Sequence, residues 1–251
     1  MTAAFQIFAE SDFNLVSRGL FEQLKAKLQI ENKNYLLNVN RTEYLNHVVS
    51  EYEIRPLGLD FDKASVSSSE GMIPAEAFPP MFRVSSGKSY PRQIIKYHLP
   101  FTGHPQLLRS IPNPRVMNSY PVSVEGNEVC LEFIDFYGDS QRIKGRAESA
   151  LALIRQQAGN LESNIVQYNR QLRPLAEVAF DTRKGEIVKQ EQVLAALGVP
   201  VKRSDNVPTT FAVPAVIRKH VVLKPAAPSE KYVPRTHTRR CDLRRNSTNH
   251  I

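Results

Sequence analysis

Apolar residues near the start of the chain recur at helical spacing. Between residues 11 and 28, Val16, Leu20, Phe21, Leu24 and Leu28 fall on one stripe behind Ser11 or Asp12 as the cap, so an amphipathic helix is expected there. Tyr35-Leu36-Leu37-Asn38-Val39 reads as a short strand. From Thr42 the helical pattern returns with Leu45, Val48, Val49 and Tyr52, and it ends before Pro56. The stretch from there to about residue 92 is dense in Pro, Ser and Gly (SVSSSEG, PPMF, SSGKSYP), which predicts loops with short strands. The period then changes to two. Ile95, Tyr97, Leu99 and Phe101 alternate with Lys96 and His98, a half-buried strand stopped by a Gly103-His104-Pro105 turn. Val129, Leu131 and Phe133 alternate with Cys130 and Glu132, and this second strand continues into Ile134-Asp135-Phe136-Tyr137. The combination predicts an α+β fold, with a small mixed or antiparallel sheet and flanking helices.

Further on, Leu151, Ile154, Ala158, Leu161, Ile165, Tyr168, Leu172, Leu175 and Ala179 step alternately by three and four. That is heptad spacing, which keeps one apolar seam facing a partner helix. Gly159 weakens the seam. Proline lacks an N–H and clashes with the preceding turn, so Pro174 is expected in the first turn of a second helix. Two consecutive helices follow, about 147–172 and 174–197, with Gly198 as the C-terminal cap and Pro200 just beyond. The seam either packs on the chain's own sheet or pairs with a second chain. The chain thus divides into an α+β part (1–145), a helical, coiled-coil-like segment (146–199), an extended segment (200–224) and a basic tail (225–251) expected to be disordered.

Charge sharpens this division. The chain carries 33 Lys and Arg against 25 Asp and Glu, a net charge of +8. Residues 216–251 hold Arg218, Lys219, Lys224, Lys231, Arg235, Arg239, Arg240, Arg244 and Arg245 against Glu230 and Asp242. All but one unit of the net charge therefore sits at the C-terminal end. A neutral body with a basic tail suits docking on nucleic acid, acidic protein or an anionic surface, and equally describes a solvated end. A hydrophobic content of 41% is enough for a core. No apolar run reaches the length of about 18 residues that a membrane span needs. The N-terminus lacks a basic leader, and Cys130 and Cys241 are lone thiols in unlike contexts, which together lead us to expect a cytoplasmic protein without disulfides.

Candidate chemistry is thin. Ser86-Gly87-Lys88-Ser89 resembles the end of a phosphate loop, but Phe82 stands where the first glycine belongs and Pro91 blocks the helix that should follow. His98 and His104 flank a strand end and a turn without further ligands nearby in sequence. His237 and Cys241 are spaced as half a zinc site with no second half. Glu132 and Asp135 share a strand but point to opposite faces. No contiguous catalytic motif and no cofactor motif is found, although a site assembled from dispersed residues stays open.

Several runs carry a resemblance. They are Asn164-Ile165-Val166-Gln167-Tyr168-Asn169-Arg170-Gln171-Leu172, Thr182-Arg183-Lys184-Gly185-Glu186-Ile187, Ala196-Leu197-Gly198-Val199-Pro200-Val201-Lys202-Arg203 and Phe211-Ala212-Val213-Pro214-Ala215-Val216-Ile217-Arg218-Lys219. With Tyr97-His98-Leu99-Pro100-Phe101-Thr102-Gly103, Leu107 and Pro112 upstream, they resemble the region preceding the nuclease domain in bacterial restriction-endonuclease-like proteins, over roughly residues 90–224. In that group a metal-dependent nuclease core follows. Here Glu230-Lys231 has no acidic strand before it, so no catalytic residue carries over. The arginine-rich ending is expected to be either a basic arm or a truncated or frameshifted end. Two functions result. One is a non-catalytic accessory or DNA-engaging module of a restriction or defence-type nuclease protein, with Arg218, Lys219, Lys224, Arg235, Arg239, Arg240, Arg244 and Arg245 on phosphates. The other is an interaction scaffold that self-associates, or pairs with another protein, through Leu151, Ile154, Leu161, Ile165, Tyr168, Leu172 and Leu175.

Overall fold

A computed structural model describes residues 4–198 together with Ala212 and Val213. The first short strand, β1 (Phe5–Gln6), is followed by β2 (Ser11–Asp12) and then by α1 (Phe13–Ile30). Asp12 is the cap, its carboxylate accepting the Asn14 N–H, and Leu20, Leu24 and Leu28 form the buried stripe. Tyr35–Val39 is not a strand. It belongs to α2 (Lys33–Asn38), because the Asn32 side chain accepts the N–H groups of Asn34 and Tyr35 and turns the chain into a helix. Asn40 repeats the device for Thr42 and Glu43 and starts α3 (Arg41–Tyr52). With two capping asparagines eight positions apart, there is room for one short helix and none for a strand.

The sheet corrects the loop expectation for residues 56–92. β3 (Gly58–Leu59) is followed by β4 (Ser65–Pro74), ten residues long, and β5 (Ser89–Thr102). β4 pairs antiparallel with β5 from Ser65↔His98 to Pro74↔Ser89. Of its ten residues only Ile73 is buried, so the strand is held by backbone pairing at a sheet edge and carries no apolar alternation to read. After β6 (Ser110–Ile111), which pairs parallel with β2, come β7 (Pro121–Glu125) and β8 (Glu128–Asp135). The order β1-β7-β8-β5-β3, with β4 also on β5, makes one antiparallel sheet with β5 as its spine.

In place of two helices there is one, α4 (Ser140–Ala196), 57 residues long and capped by Asp139. At about 1.5 Å per residue it extends some 85 Å. Pro174 lies inside it on the solvent face, where water can satisfy the carbonyl that proline leaves without a donor. Leu172, Ala176 and Phe180 keep the helix seated on either side. Gly198 takes φ +66 beyond the last turn, as a C-terminal glycine should. α4 meets the sheet at β8 and packs along its length against α1 and α3, sharing one core with the inward-facing Leu99, Val129, Leu131 and Phe133. These residues form one continuous core from Phe5 to Ile187, so the boundary expected at residue 145 falls inside both helix and core. Among the described residues, no helix is long and apolar enough to cross a membrane.

Candidate functional site

Strand alternation sends Leu99 and Leu131 inward and leaves the other face of the sheet to polar side chains. Register decides which of these meet. His98 lies opposite Cys130, Lys96 opposite Glu132 and Pro100 opposite Glu128. Across the next ladder Ser123 faces Cys130 and Glu125 faces Glu128, while Ser67 on β4 faces Lys96 and sits diagonal to His98.

These neighbours build a cluster around one imidazole. Ser67 Oγ is 2.7 Å from His98 Nε2. On the other side of the ring, Glu128 Oε2 is 3.1 Å and Cys130 Sγ 3.6 Å from Nδ1. Ligand atoms of His98, Glu125 and Cys130 all lie within 4.8 Å of one another. Lys96 Nζ bridges Glu125 at 2.9 Å and Glu132 at 3.1 Å. Hydrogen bonds to those two carboxylates hold Lys96 charged well above the ordinary lysine range, and the same ammonium holds Glu125 below the usual carboxylate range. Cys130 is 1% exposed although it lies on the polar face. Burial, with the nearby Glu125 charge second, pushes its thiol up to about 11.

Two chemistries are built into this geometry. Hydroxyl, imidazole and carboxylate in series have the order of a relay that activates a nucleophile. Imidazole, thiol and carboxylate converging on one point form a mixed ligand set for a borderline-soft divalent ion. Sequence reading placed His98 at a strand end beside His104 and set Cys130 aside as a lone thiol. The structure instead brings His98 to Cys130, while His104 caps the turn after β5 by accepting the Gln106 N–H. Ser67, Glu125 and Glu128 gave no signal, since nothing local marks residues from four strands as neighbours. Glu132 binds Lys96 on this face; Asp135, three positions on, instead accepts the N–H groups of Tyr137 and Gly138. Ser86 and Gly87 donate to the Glu76 carboxylate, which closes that turn as a structural loop.

The helical seam is closed at home. Ile154, Leu161, Ile165, Tyr168 and Leu172 are buried in the chain's own core, and Leu151 is half-buried. Leu175 turns out to solvent, 40% exposed, and Ala176 takes the core position. From Leu161 the buried positions step mostly by four (Ile165, Tyr168, Leu172, Ala176, Phe180). A straight helix drifts away from a strict heptad in this way, so the coiled-coil reading is corrected. The runs behind the resemblance acquire structural roles. Asn169 clamps the backbone of Ile54 at 3.0 and 2.8 Å, and Asn164 clamps Asn113 at 2.7 Å on both groups. Arg218, Lys219, Lys224, Arg235, Arg239, Arg240, Arg244 and Arg245 lie outside the described residues, as do His237 and Cys241, Glu230-Lys231, Pro200 and the segments 200–211 and 214–251.

The fold and the cluster together define an α+β protein with a mixed His, Cys and carboxylate constellation on an open sheet face. No family model, curated protein or solved structure matches the chain. The resemblance to restriction-endonuclease-like proteins therefore stands on the quoted residues alone.

Proposed function

We propose that this chain is an accessory, DNA-engaging module of a restriction or defence-type nuclease protein, in which a near-neutral body carries a basic C-terminal arm. The observation that carries the reading is the concentration of charge: nine Lys and Arg against two acids within residues 216–251. Phosphate neutralisation supplies sequence-independent affinity, and each contact made releases a counterion. The body contributes by anchoring the root of the arm. Val213 packs on the core and Ala212 O accepts a hydrogen bond from Tyr35 at 3.2 Å. Arg218 and Lys219 follow within six positions along the chain.

The test is binding to a short mixed-sequence duplex at two salt concentrations, comparing the full chain with one stopped after Lys224. The full chain should bind, lose affinity steeply as salt rises, and show little sequence preference. The shortened chain should lose most of that binding. Equal binding by both forms, or none by either, overturns the reading.

A further inference from the structure

We propose that His98, Cys130 and Glu125 form a binding site for a divalent ion of the zinc class on the outer face of the sheet. This site is independent of the basic arm.

Three observations converge on it. The first is crowding at one atom. His98 Nδ1 can donate a single proton, yet Glu128 Oε2 at 3.1 Å and Cys130 Sγ at 3.6 Å both meet it, and ligand atoms of His98, Cys130 and Glu125 lie within 4.8 Å of one another. A cation placed among the ligand atoms of His98, Cys130 and Glu125 satisfies all three at once. The second is spacing. Zinc–sulfur and zinc–nitrogen bonds of about 2.3 and 2.0–2.1 Å at a tetrahedral angle put sulfur and nitrogen roughly 3.6 Å apart. That is the separation of Cys130 Sγ from His98 Nδ1.

The third is orientation. Ligating histidines commonly donate their other N–H to an outer partner, which fixes the tautomer and the ring. Ser67 Oγ sits 2.7 Å from His98 Nε2, placed to accept that N–H when Nδ1 holds the metal. Lys96 occupies Glu125 through Oε1 and also takes up Glu132, so part of the local carboxylate charge is already balanced. On binding, zinc takes the place of the thiol proton, which leaves to solvent, and a thiolate–metal bond forms. The ligands come from β5, β7 and β8, so the ion would tie three adjacent strands together.

The experiment uses the full chain stripped with a chelator and titrated first with cobalt(II), then with zinc. One equivalent of cobalt should bind, with a near-ultraviolet thiolate-to-cobalt band and the intense visible bands of tetrahedral coordination, and zinc should displace it. Cys130→Ser should abolish the thiolate band. His98→Gln, which keeps the thiol, should weaken binding at least tenfold. Ser67→Ala should weaken it by about ten- to hundredfold, as removal of an orienting partner does. Cys241→Ser should leave the spectrum unchanged, because Cys241 is not among the proposed ligands. Circular dichroism of His98→Gln and Ser67→Ala separates metal loss from unfolding should Cys130→Ser fail to fold. The site is overturned if no stoichiometric complex forms, or if the bands survive in Cys130→Ser. It is equally overturned if the bands vanish only in Cys241→Ser, or if His98→Gln binds as tightly as the parent.

Discussion

At the scale of single residues, the decisive positions are those where α4 meets the rest of the chain. Ile165 and Leu161 are fully buried, so Ile165→Asp would place a charge among apolar side chains with no partner. We expect that variant to unfold, read as loss of the cooperative urea transition, where an interface residue would have given a folded monomer. Leu161→Ala should cost about 2–5 kcal/mol, read from the shift of the urea midpoint. Gln157 shows how one polar residue sits within such a stripe. It is 1% exposed, and its amide donates to the Asn118 carbonyl at 3.2 Å, so a residue that hydropathy assigns to the surface lies in the core. Arg41 and Asp181 supply a pH signature. The guanidinium makes two hydrogen bonds to the carboxylate, of 3.0 and 2.7 Å, and these hold Asp181 below the usual carboxylate range. A depressed folded-state value stabilises above the unfolded value and loses that stabilisation as pH falls through the folded one. The pair is about half exposed, so solvent screening keeps its contribution small. Asp181→Asn should lower Tm slightly at neutral pH, and the gap from the parent should close on acidification through the carboxylate range.

At the scale of elements, α4 is the largest departure from expectation. Proline in a helix interior is about 3 kcal/mol less favourable than alanine, which is why the sequence around Pro174 divides naturally into two helices. The structure bears this cost because Pro174 faces solvent while Leu172 and Ala176 beside it are buried. Pro174→Ala should therefore raise stability by about 1–3 kcal/mol with little change in helical circular dichroism. A fall in Tm would mean that proline shapes the helix for its packing. β4 is the opposite case. Its run Ser65-Val66-Ser67-Ser68-Ser69 has no apolar face, so its pairing with β5 and the place of Ser67 beside His98 come from the hairpin and not from its own composition.

At the scale of the whole molecule, one core joins the sheet, α1, α3 and α4, and the chain returns to it at Val213. Truncation after Lys224 should leave the unfolding transition unchanged. Truncation after Gly198 removes Val213 and the Tyr35–Ala212 bond and should cost on the order of 1 kcal/mol, the worth of a partly buried valine. Charge is organised at this scale as well. If the basic remainder binds phosphate as proposed, apart from the near-neutral first 215 residues, a binding defect from tail substitutions should leave Tm unmoved.

By itself the sequence determined the elements whose burial is one-sided and local. The stripes of α1 and α3, the alternation at Ile95–Phe101 and Val129–Phe133, and the α+β class follow from periods of 3.6 and two. It also determined where the charge lies. The tertiary structure alone decided the rest. Whether Tyr35–Val39 turns or extends depended on asparagine caps. Whether the chain continues through Pro174 depended on core contacts to either side. The cluster at His98 depended on register, because Ser67 and Cys130 stand 31 and 32 positions from it. Strand pairing sets that proximity, and no local pattern of hydrophobic and polar residues encodes it.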